Sequence, residues 1–164
     1  MDRTLKKCKK RPNDIIYTPD ELSKDCISII DIKESDFLLD PFLGKGSFYN
    51  NYPEVNKKDW CEIEKNKDFF KYQNNVDWII SNPPFSKLND ILIKCCSICN
   101  KGFGLIVLCT ALTIKRINFC KSKGFIITKI MWFNVKSWFG FPCFFVVFEK
   151  SDKPFFNLEP KTYN

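Results

Sequence analysis

The order of apolar runs and helical repeats along this 164-residue chain predicts an α/β fold built on one mostly parallel sheet. Residues 103–109 form a continuous apolar run, which is typical of a parallel strand buried on both faces. Residues 88–99 and 111–121, on either side of it, repeat apolar side chains at helical spacing. Two more apolar runs, 125–135 and 143–149, predict a β-hairpin that closes one edge of the sheet.

Composition predicts a single intracellular domain. The chain has room for one core, and its 45% hydrophobic and 16% aromatic content is typical of a globular protein. No apolar run approaches the roughly 20 residues that span a bilayer, and residues 1–7 lack the apolar segment of a secretory signal. We therefore expect a basic arm at 1–14, one domain at 15–150 and a surface tail at 151–164, with no membrane association.

The net charge of +7 favours a polyanionic partner, most simply nucleic acid. Lysine is abundant and Ala111 is the only alanine, which is typical of coding from an AT-rich genome. Composition can therefore account for part of the charge. The basic arm can contact a phosphate backbone or stay a solvated tail.

The chain has nine cysteines and no histidine, which limits the disulfides, metal sites and catalytic groups that it can form. Nothing indicates secretion, so disulfides are not expected. The only close grouping is Cys95, Cys96 and Cys99, and a zinc site usually needs paired clusters or histidine partners. We expect reduced structural thiols and no metal. Without histidine, a Ser-His-Asp or Cys-His nucleophile and a histidine general base are excluded.

Residues 18–30 predict the first helix. Thr18 suits the N-cap and Pro19 the first helical position. Glu21 lies three residues after the cap and would complete a capping box. The helix is expected to continue to about Ile30, with its apolar side chains on one face.

Residues 37–40 predict a short buried strand, and residues 41–47 a tight loop that contains Gly44 and Gly46. Glycine lets the backbone approach a ligand, and the helix expected after the loop offers free N–H groups. The loop lacks the third glycine of the dinucleotide fingerprint and the Gly-Lys-Ser/Thr of a P-loop. With Asp40 at the strand tip, it predicts a small-ligand site, although a surface turn fits the same residues.

A second strand at residues 59–63 places Glu62 about 20 residues past the glycine loop, where an acid commonly holds ribose hydroxyls. Asp68 could accept from the amino group of an adenine while Phe69 covers the ring. Both acids fit equally well as solvated surface charges, because Asp and Glu are mostly exposed in proteins.

The stretch 77–86 joins an apolar run to Asn82-Pro83-Pro84-Phe85. Neither proline can donate to a sheet ladder, so a buried strand must end here. The turn leaves two acceptors, the Asn82 side-chain oxygen and a proline carbonyl, next to the Phe85 ring. Two acceptors and a stacking ring suit a flat ring that bears an amino group. A Pro-Pro turn with Phe85 in the core fits the same residues.

Taken in order, these motifs resemble those of the S-adenosylmethionine-dependent N6-adenine methyltransferases. The matching pieces are Thr18-Pro19, Asp40-Pro41-Phe42-Leu43-Gly44-Lys45-Gly46, Glu62, Asp68-Phe69-Phe70 and Asn82-Pro83-Pro84-Phe85. The resemblance covers roughly residues 15–150, with the cofactor motifs before the catalytic one. It is greatest to the short adenine methyltransferases of phages and large DNA viruses.

The resemblance implies a seven-stranded Rossmann-like sheet, mostly parallel with a reversed C-terminal strand and helices on both faces. It implies S-adenosylmethionine as cofactor and the N6 amine of adenine in DNA as methyl acceptor. The implied cofactor-binding residues are Tyr17, Thr18, Pro19, Asp40, Pro41, Phe42, Gly44, Gly46, Glu62, Ile63, Asp68, Phe69 and Asn82. The implied catalytic residues are Asn82, Pro83, Pro84 and Phe85, which orient the amine without a metal.

Two departures from the family pattern leave questions open. The interval between Glu62 and Asn82 is short, so one strand–helix unit can be missing. No target-recognition domain follows the last strand, so specificity is loose or comes from a partner. The turn at 138–142 and the basic arm are the candidate substrate contacts, and both a homodimer and a specificity subunit stay open.

Other functions fit parts of the same pattern. RNA is a second substrate class, through adenine N6 or guanine N2, and protein glutamine is a third. Enzymes that act on glutamine tend to have tyrosine where this chain has Phe85. An inactive nucleic-acid-binding subunit is a further alternative, although the motifs are intact. A viral protein would work in the cytoplasm, a host-cell factory or the nucleus.

Overall fold

The computed structural model describes residues 17–136, 138 and 142–151, which form one six-stranded sheet with helices on both faces. The strands are β1 (Phe37–Asp40), β2 (Lys57–Trp60), β3 (Val76–Ser81), β4 (Cys99–Leu108), β5 (Phe125–Phe133) and β6 (Cys143–Lys150). The α-helices are α1 (Asp20–Ser28), α2 (Ser47–Asn51), α3 (Leu88–Ile98) and α4 (Ile114–Ser122). The predicted basic arm and all of the predicted tail except Ser151 lie outside the described residues.

The sheet has the strand order β2-β1-β3-β4-β6-β5. Strands β2, β1, β3 and β4 are parallel to one another, whereas β6 is antiparallel to both β4 and β5. The predicted α/β fold, the reversed C-terminal strand and the terminal hairpin are therefore confirmed. The described sheet has one strand fewer than the seven that the resemblance implies. The short interval between β2 and β3 holds only the 3₁₀ turns Ile63–Lys65 and Phe69–Lys71.

Helices α1 and α2 pack on one face of the sheet, and α3 and α4 on the other. Helix α3 shows why the sequence folds this way, because its buried side chains recur at helical spacing. These are Leu88, Ile91, Leu92, Cys95 and Ile98. The helix ends at Ile98, where the backbone turns extended, so Cys99 begins β4 instead of closing the predicted helix. Cys95 and Cys99 are both buried in the core, as predicted for structural thiols.

Several predicted boundaries differ from the structure, and three of them bear on the site or on helix capping. Strand β2 ends at Trp60, so Glu62 lies two residues beyond the strand. Helix α4 begins at Ile114, where Thr113 caps it by accepting from the Arg116 amide. Helix α1 begins at Asp20 with Pro19 as its N-cap. Within the described ranges, no helix combines the length and apolar character that crossing a membrane requires.

Candidate active site

A cavity of about 600 Å³ opens where β1, β2 and β3 end. The carboxyl edge of parallel strands is the usual ligand edge of an α/β sheet. The residues that line the cavity belong to the three segments that follow these strands. They are Pro41, Phe42, Gly44, Glu62, Ile63, Asp68, Phe69, Phe70, Asn82, Pro83, Pro84, Phe85, Ser86 and Lys87. All but Phe70, Ser86 and Lys87 were predicted for the site. Motifs that are far apart in the sequence thus share one cavity.

The loop after β1 needs glycine at two positions. Gly44 and Gly46 have φ of +50° and +86°, a region that other residues rarely adopt. The Gly44 amide donates to Glu62 Oε2 at 2.9 Å, which ties the loop to the segment after β2. Gly46 is the buried N-cap of α2, and a Cβ there would lie 3.0 Å from Nδ2 of Asn50. Gly44 lines the cavity, whereas Gly46 lies outside the lining and allows the loop to turn into α2.

Two carboxylates line the cavity after β2, and backbone amides hold both of them. Besides Gly44, Glu62 accepts from the Glu64 amide at 3.4 Å. Asp68 Oδ1 accepts from the Phe70 amide at 2.9 Å. A carboxylate oxygen can accept two hydrogen bonds. Glu62 and Asp68 can therefore still accept from the hydroxyl or amino groups of a ligand.

Asp40, predicted to face the ligand, lies beneath the loop instead. Its carboxyl group is 1% exposed and is absent from the cavity wall. Oδ1 accepts from the Ser81 hydroxyl at 2.6 Å and from the Phe42 amide at 3.3 Å. Burial raises the pKa of Asp40 to about 6, although these hydrogen bonds oppose the shift. Asp40 thus joins the ends of β1 and β3 and positions the loop between them.

Thr18 contacts Asn82 rather than capping α1. Asn82 Nδ2 donates to Thr18 Oγ1 at 3.2 Å, and Ser47 Oγ donates to the Thr18 carbonyl at 2.6 Å. Helix α1 has no side-chain cap, so the predicted capping role of Thr18 is wrong. Tyr17 lies beside it, where its carbonyl accepts from Trp138 Nε1 at 3.3 Å. With Nδ2 engaged by Thr18, Oδ1 is the acceptor that the Asn82 amide retains.

Tyr17 and Thr18 also line a cleft of about 30 Å³ with Gly44 and Asn82, next to the larger cavity. The Lys45 amino group stands 3.9 Å from the centre of the Tyr17 ring in this region. Of the turn at 138–142 that we predicted as a substrate contact, only the residues at 138 and 142 are described. Of these two residues, Trp138 contacts the segment that holds Asn82, through the Tyr17 carbonyl.

The aromatic wall of the cavity contains one ring that was not predicted, that of Phe70. Phe69 is only 3% exposed and packs edge-on against Phe42, with ring centroids 5.4 Å apart. Phe70 is 37% exposed and lines the cavity, with the Lys87 amino group 5.7 Å from its ring centre. Asp68 caps the short turn that carries both rings. Ring surface open to a ligand is therefore provided by Phe70 and by the half-buried Phe85.

Strand β3 ends at Ser81, as the two prolines require. Tyr52 supports this end from below, because its hydroxyl donates to the Ile80 carbonyl at 2.7 Å. Pro83 is buried, and Pro84 begins the 3₁₀ turn Phe85–Lys87. The turn therefore presents the Asn82 amide and the Phe85 ring from a fixed backbone.

No protein-family model matches the chain, and no curated protein matches it in sequence. Its fold is similar to those of solved structures. A proposed RNA methyltransferase from Pyrococcus horikoshii gives a TM-score of 0.65 at 20% identity, over 79% of this chain and 80% of that one. Precorrin-6y C5,15-methyltransferase from Geobacter metallireducens gives 0.64 at 14% identity, over 85% and 93% of the two chains. The chain has a methyltransferase fold.

A third structure with this methyltransferase fold is TYW2 from M. jannaschii, which was solved in complex with AdoMet. Its TM-score is 0.56 at 16% identity, over 83% of this chain and 77% of that one. At such identities the similarity is one of fold. The roles of individual residues must therefore be argued from this chain's own geometry.

The cysteines of this methyltransferase fold lie away from the cavity lining. Eight cysteines are described, and burial raises the pKa of the Cys61 thiol to about 12. Across the described part of the chain, no group of three or more His, Cys, Asp or Glu side chains could hold a metal ion. Cys8 is not among the described residues.

Proposed function

We propose that this chain transfers the methyl group of S-adenosylmethionine to the N6 amine of adenine in DNA. One observation carries the proposal. The turn 82–85, with its two acceptors and its ring, shares a single cavity with Gly44, Glu62 and Asp68. The order of these motifs resembles that of the N6-adenine methyltransferases, and the methyltransferase fold supports the assignment.

The cavity suits S-adenosylmethionine in volume and in chemistry. About 600 Å³ lies within the roughly 300–1,000 Å³ of small-molecule sites. Glu62 would accept from the ribose hydroxyls and Asp68 from the adenine amino group, while Ile63 and Phe70 cover the adenine ring. Gly44 lets the backbone approach the ligand because it has no side chain. When bound, the cofactor supplies a methyl group that its sulfonium charge has already activated.

The target base would occupy the side of the cavity formed by the turn after β3. Asn82 Oδ1 and the Pro83 carbonyl accept the two hydrogens of the amine, and Phe85 stacks on the base. Thr18 fixes which end of the Asn82 amide faces the substrate, because it engages Nδ2. Taking the base out of its stack costs a few kcal/mol, which stacking on Phe85 offsets in part.

Catalysis by these residues rests on orientation. The chain has no histidine to act as a base. Two acceptors on the amine favour a nitrogen whose lone pair points away from Asn82 and Pro83. Holding reactants in the right geometry can lower a barrier by roughly 7–11 kcal/mol in ideal cases. The proton of the methylated amine leaves to solvent after transfer.

RNA is the second candidate substrate. The P. horikoshii structure that shares this fold is described as an RNA methyltransferase. Adenine N6 and guanine N2 are both exocyclic amines on flat rings, so either suits the two acceptors and Phe85. Protein glutamine fits less well, because its amide offers no ring to stack on Phe85.

Transfer of labelled methyl groups to unmethylated DNA and to RNA tests the proposal. We expect label in DNA as N6-methyladenine, and an Asn82→Ala variant that transfers at least roughly a hundredfold more slowly. Asn75→Ala, the same change at an exposed position outside the cavity lining, should leave transfer unchanged.

Each other outcome of this assay is informative. Label in RNA alone would select the second candidate. Folded protein that binds S-adenosylmethionine but labels neither nucleic acid would overturn the nucleic-acid substrate. An Asn82→Ala variant as active as Asn75→Ala would overturn the mechanism.

A further inference from the structure

The two halves of the described chain differ in charge. Residues 17–86 contain eight lysines and 13 acidic residues, whereas residues 87–151 contain nine lysines, one arginine and only two acidic residues. From Ile91 to Phe148 there are eight basic residues and no acidic one. Lysine is equally abundant in both halves, so a lysine-rich composition does not explain the difference. What changes is the number of acidic residues, which falls from 13 to two.

The acidic first turn of α1 and the exposed lysines of α4 lie on opposite faces of the sheet. Helix α1 has two acidic residues in its first turn and packs on the face that α2 shares. Helix α4 packs on the other face, where Lys115, Lys121 and Lys123 at α4 and its C-cap are exposed. Arg116 is different, because its guanidinium donates to Asn89 Oδ1 and to the Ala111 carbonyl. Arg116 therefore anchors α4, and the three lysines remain for a partner.

An exposed tryptophan lies on the same face as α4. Trp132 of β5 is 73% exposed, the largest exposure among the large hydrophobic residues of the described chain. Its ring meets Phe144 edge-on at 6.1 Å, and Phe144 packs against the core that α3 and α4 cover. Strand β5 is the last strand of the described sheet, so no neighbouring strand covers its outer side. A flat ring open to solvent is the side chain on which unpaired bases stack.

This face extends to the edge of the sheet that carries the cavity. Trp132 pairs with Phe144, which in turn pairs with Val107, one residue before the carboxyl end of β4. From β3, which ends next to Asn82, to β5 there are three strand spacings, or roughly 14 Å. That span equals about four base-pair steps of a duplex. A nucleic acid with its target base in the cavity would therefore reach Trp132.

We propose that the α4–β5 surface, formed by Lys115, Lys121, Lys123 and Trp132, binds the backbone of a nucleic acid and stacks one of its unpaired bases. The lysines contact phosphates without reading sequence, and Trp132 holds a base of any type. The surface thus supplies affinity for the substrate outside the cavity. Its role in catalysis rests on the proposed function, whereas its binding of nucleic acid does not.

Fluorescence anisotropy with a labelled 16-nucleotide single-stranded DNA tests the surface. The triple variant K115Q/K121Q/K123Q should bind at least tenfold more weakly at low salt. The slope of log affinity against log salt should fall in magnitude by about 2, because each phosphate contact contributes roughly 0.7 on a single strand. The matched control K24Q/K57Q/K58Q removes the same charge from exposed positions on α1 and β2, and should change affinity less than threefold.

Trp132 gives a second, independent measurement. Trp132→Ala should weaken binding roughly five- to a hundredfold, because stacking of one base is worth about 1–3 kcal/mol, while Trp132→Phe should retain part of the affinity. DNA should also quench the tryptophan fluorescence of the wild type but not that of Trp132→Ala. Circular dichroism checks that every variant is folded.

Several results would overturn the proposal that the α4–β5 surface binds nucleic acid. Equal losses in the two triple variants would show that only net charge matters. Binding to vesicles with anionic phospholipid, but not to DNA or RNA, would assign the face to a membrane. Failure of methyl transfer with DNA binding as expected would count against the proposed function alone. Normal methyl transfer with equal affinity in both triple variants would count against this surface alone.

Discussion

The two ends of strand β1 carry aspartates that solvent barely reaches but that differ in pKa. Asp36, just before the strand, and Asp40, its last residue, are both 1% exposed. Asp36 accepts from the Lys101 ammonium, from Trp78 Nε1 at 3.1 Å and from the Lys33 amide at 2.9 Å. Burial raises the pKa of Asp36, but these donors, led by Lys101, outweigh it and leave the pKa below its usual value. At Asp40 burial raises the pKa more than the hydrogen bonds lower it, which leaves the pKa at about 6.

Burial and hydrogen-bond donors together set the pKa of each carboxyl group. At the amino end, a cation from β4 and an indole from β3 hold the Asp36 carboxylate, which ties three strands together. At the carboxyl end, Asp40 has a hydroxyl group and an amide as its hydrogen-bond donors. At the amino end, Asp36 holds three strands together through an ion pair and hydrogen bonds. At the carboxyl end, Asp40 positions the loop beside the cavity.

The largest expected effect is that of pH on the unfolding free energy, through ionisation of Asp40. The folded pKa of Asp40, about 6, exceeds the ordinary 3.8, so its protonation favours folding; this contribution is complete below about pH 4 and is lost as pH rises through 6. Asp40→Asn keeps an acceptor for Ser81 and cannot ionise. Between pH 4 and 7 the wild type should lose up to about 3 kcal/mol of unfolding free energy relative to this variant. Urea unfolding at several pH values measures the difference.

Asp36→Asn is the matched control, and its sign is opposite. The folded pKa of Asp36 is lowered, so the carboxylate stabilises the fold above its unfolded pKa, and this contribution is lost as pH falls through the folded pKa. The wild type should therefore lose its advantage over Asp36→Asn on acidification. If both variants follow the wild type in parallel across the pH range, the contrast between the two ends is wrong.

Removing the Lys101 cation from the amino end should give the second-largest loss of unfolding free energy. Lys101→Met leaves the Asp36 carboxylate buried with only neutral donors. The expected loss is about 2 kcal/mol of unfolding free energy, below the roughly 3–5 of a fully buried pair, because the Lys101 side chain is 45% exposed. Lys24→Met on exposed α1 should cost less than about 0.5 kcal/mol. Methyl transfer that fails in Lys101→Met while stability stays unchanged would contradict a purely structural role of this ion pair.

Thr18→Val should alter activity more than stability. The variant removes the acceptor of Asn82 Nδ2, so the amide can turn away from the substrate. We expect kcat to fall about tenfold, or about 1.4 kcal/mol of barrier, with KM for nucleic acid within about twofold. Thr18→Ser should restore kcat. A rise only in KM for S-adenosylmethionine would instead support the cofactor contact that the resemblance implies for Thr18.

The sequence predicted much of the fold and the convergence of the motifs. Apolar runs and helical spacing located the strands and helices, and the rule that parallel strands end at one edge brought Gly44, Glu62 and Asn82 together. The prolines at 83 and 84 fixed the end of β3 through simple chemistry. These predictions succeeded because each depends on local residues and on a general rule of sheet topology.

The errors concern side-chain direction and distant partners. Asp40 turned away from the cavity because Ser81, 41 residues later, ends the neighbouring strand and offers a hydroxyl. Thr18 bonds to Asn82, 64 residues along the chain, instead of to its own helix. Phe70 was missed: it lines the cavity beside the predicted Phe69 and is the more exposed of the two rings. Local patterns carry no information on such choices.

Titration calorimetry of S-adenosylmethionine into the purified protein tests the central claim, that the carboxyl end of the sheet is the functional end. The wild type should bind one equivalent, and Lys101→Met at the opposite end should bind as tightly. Glu62→Ala, which removes the carboxylate expected at the ribose, should bind at least tenfold more weakly, or about 1.4 kcal/mol. A folded wild type that binds no S-adenosylmethionine, or a Glu62→Ala variant that binds as the wild type does, would contradict this account.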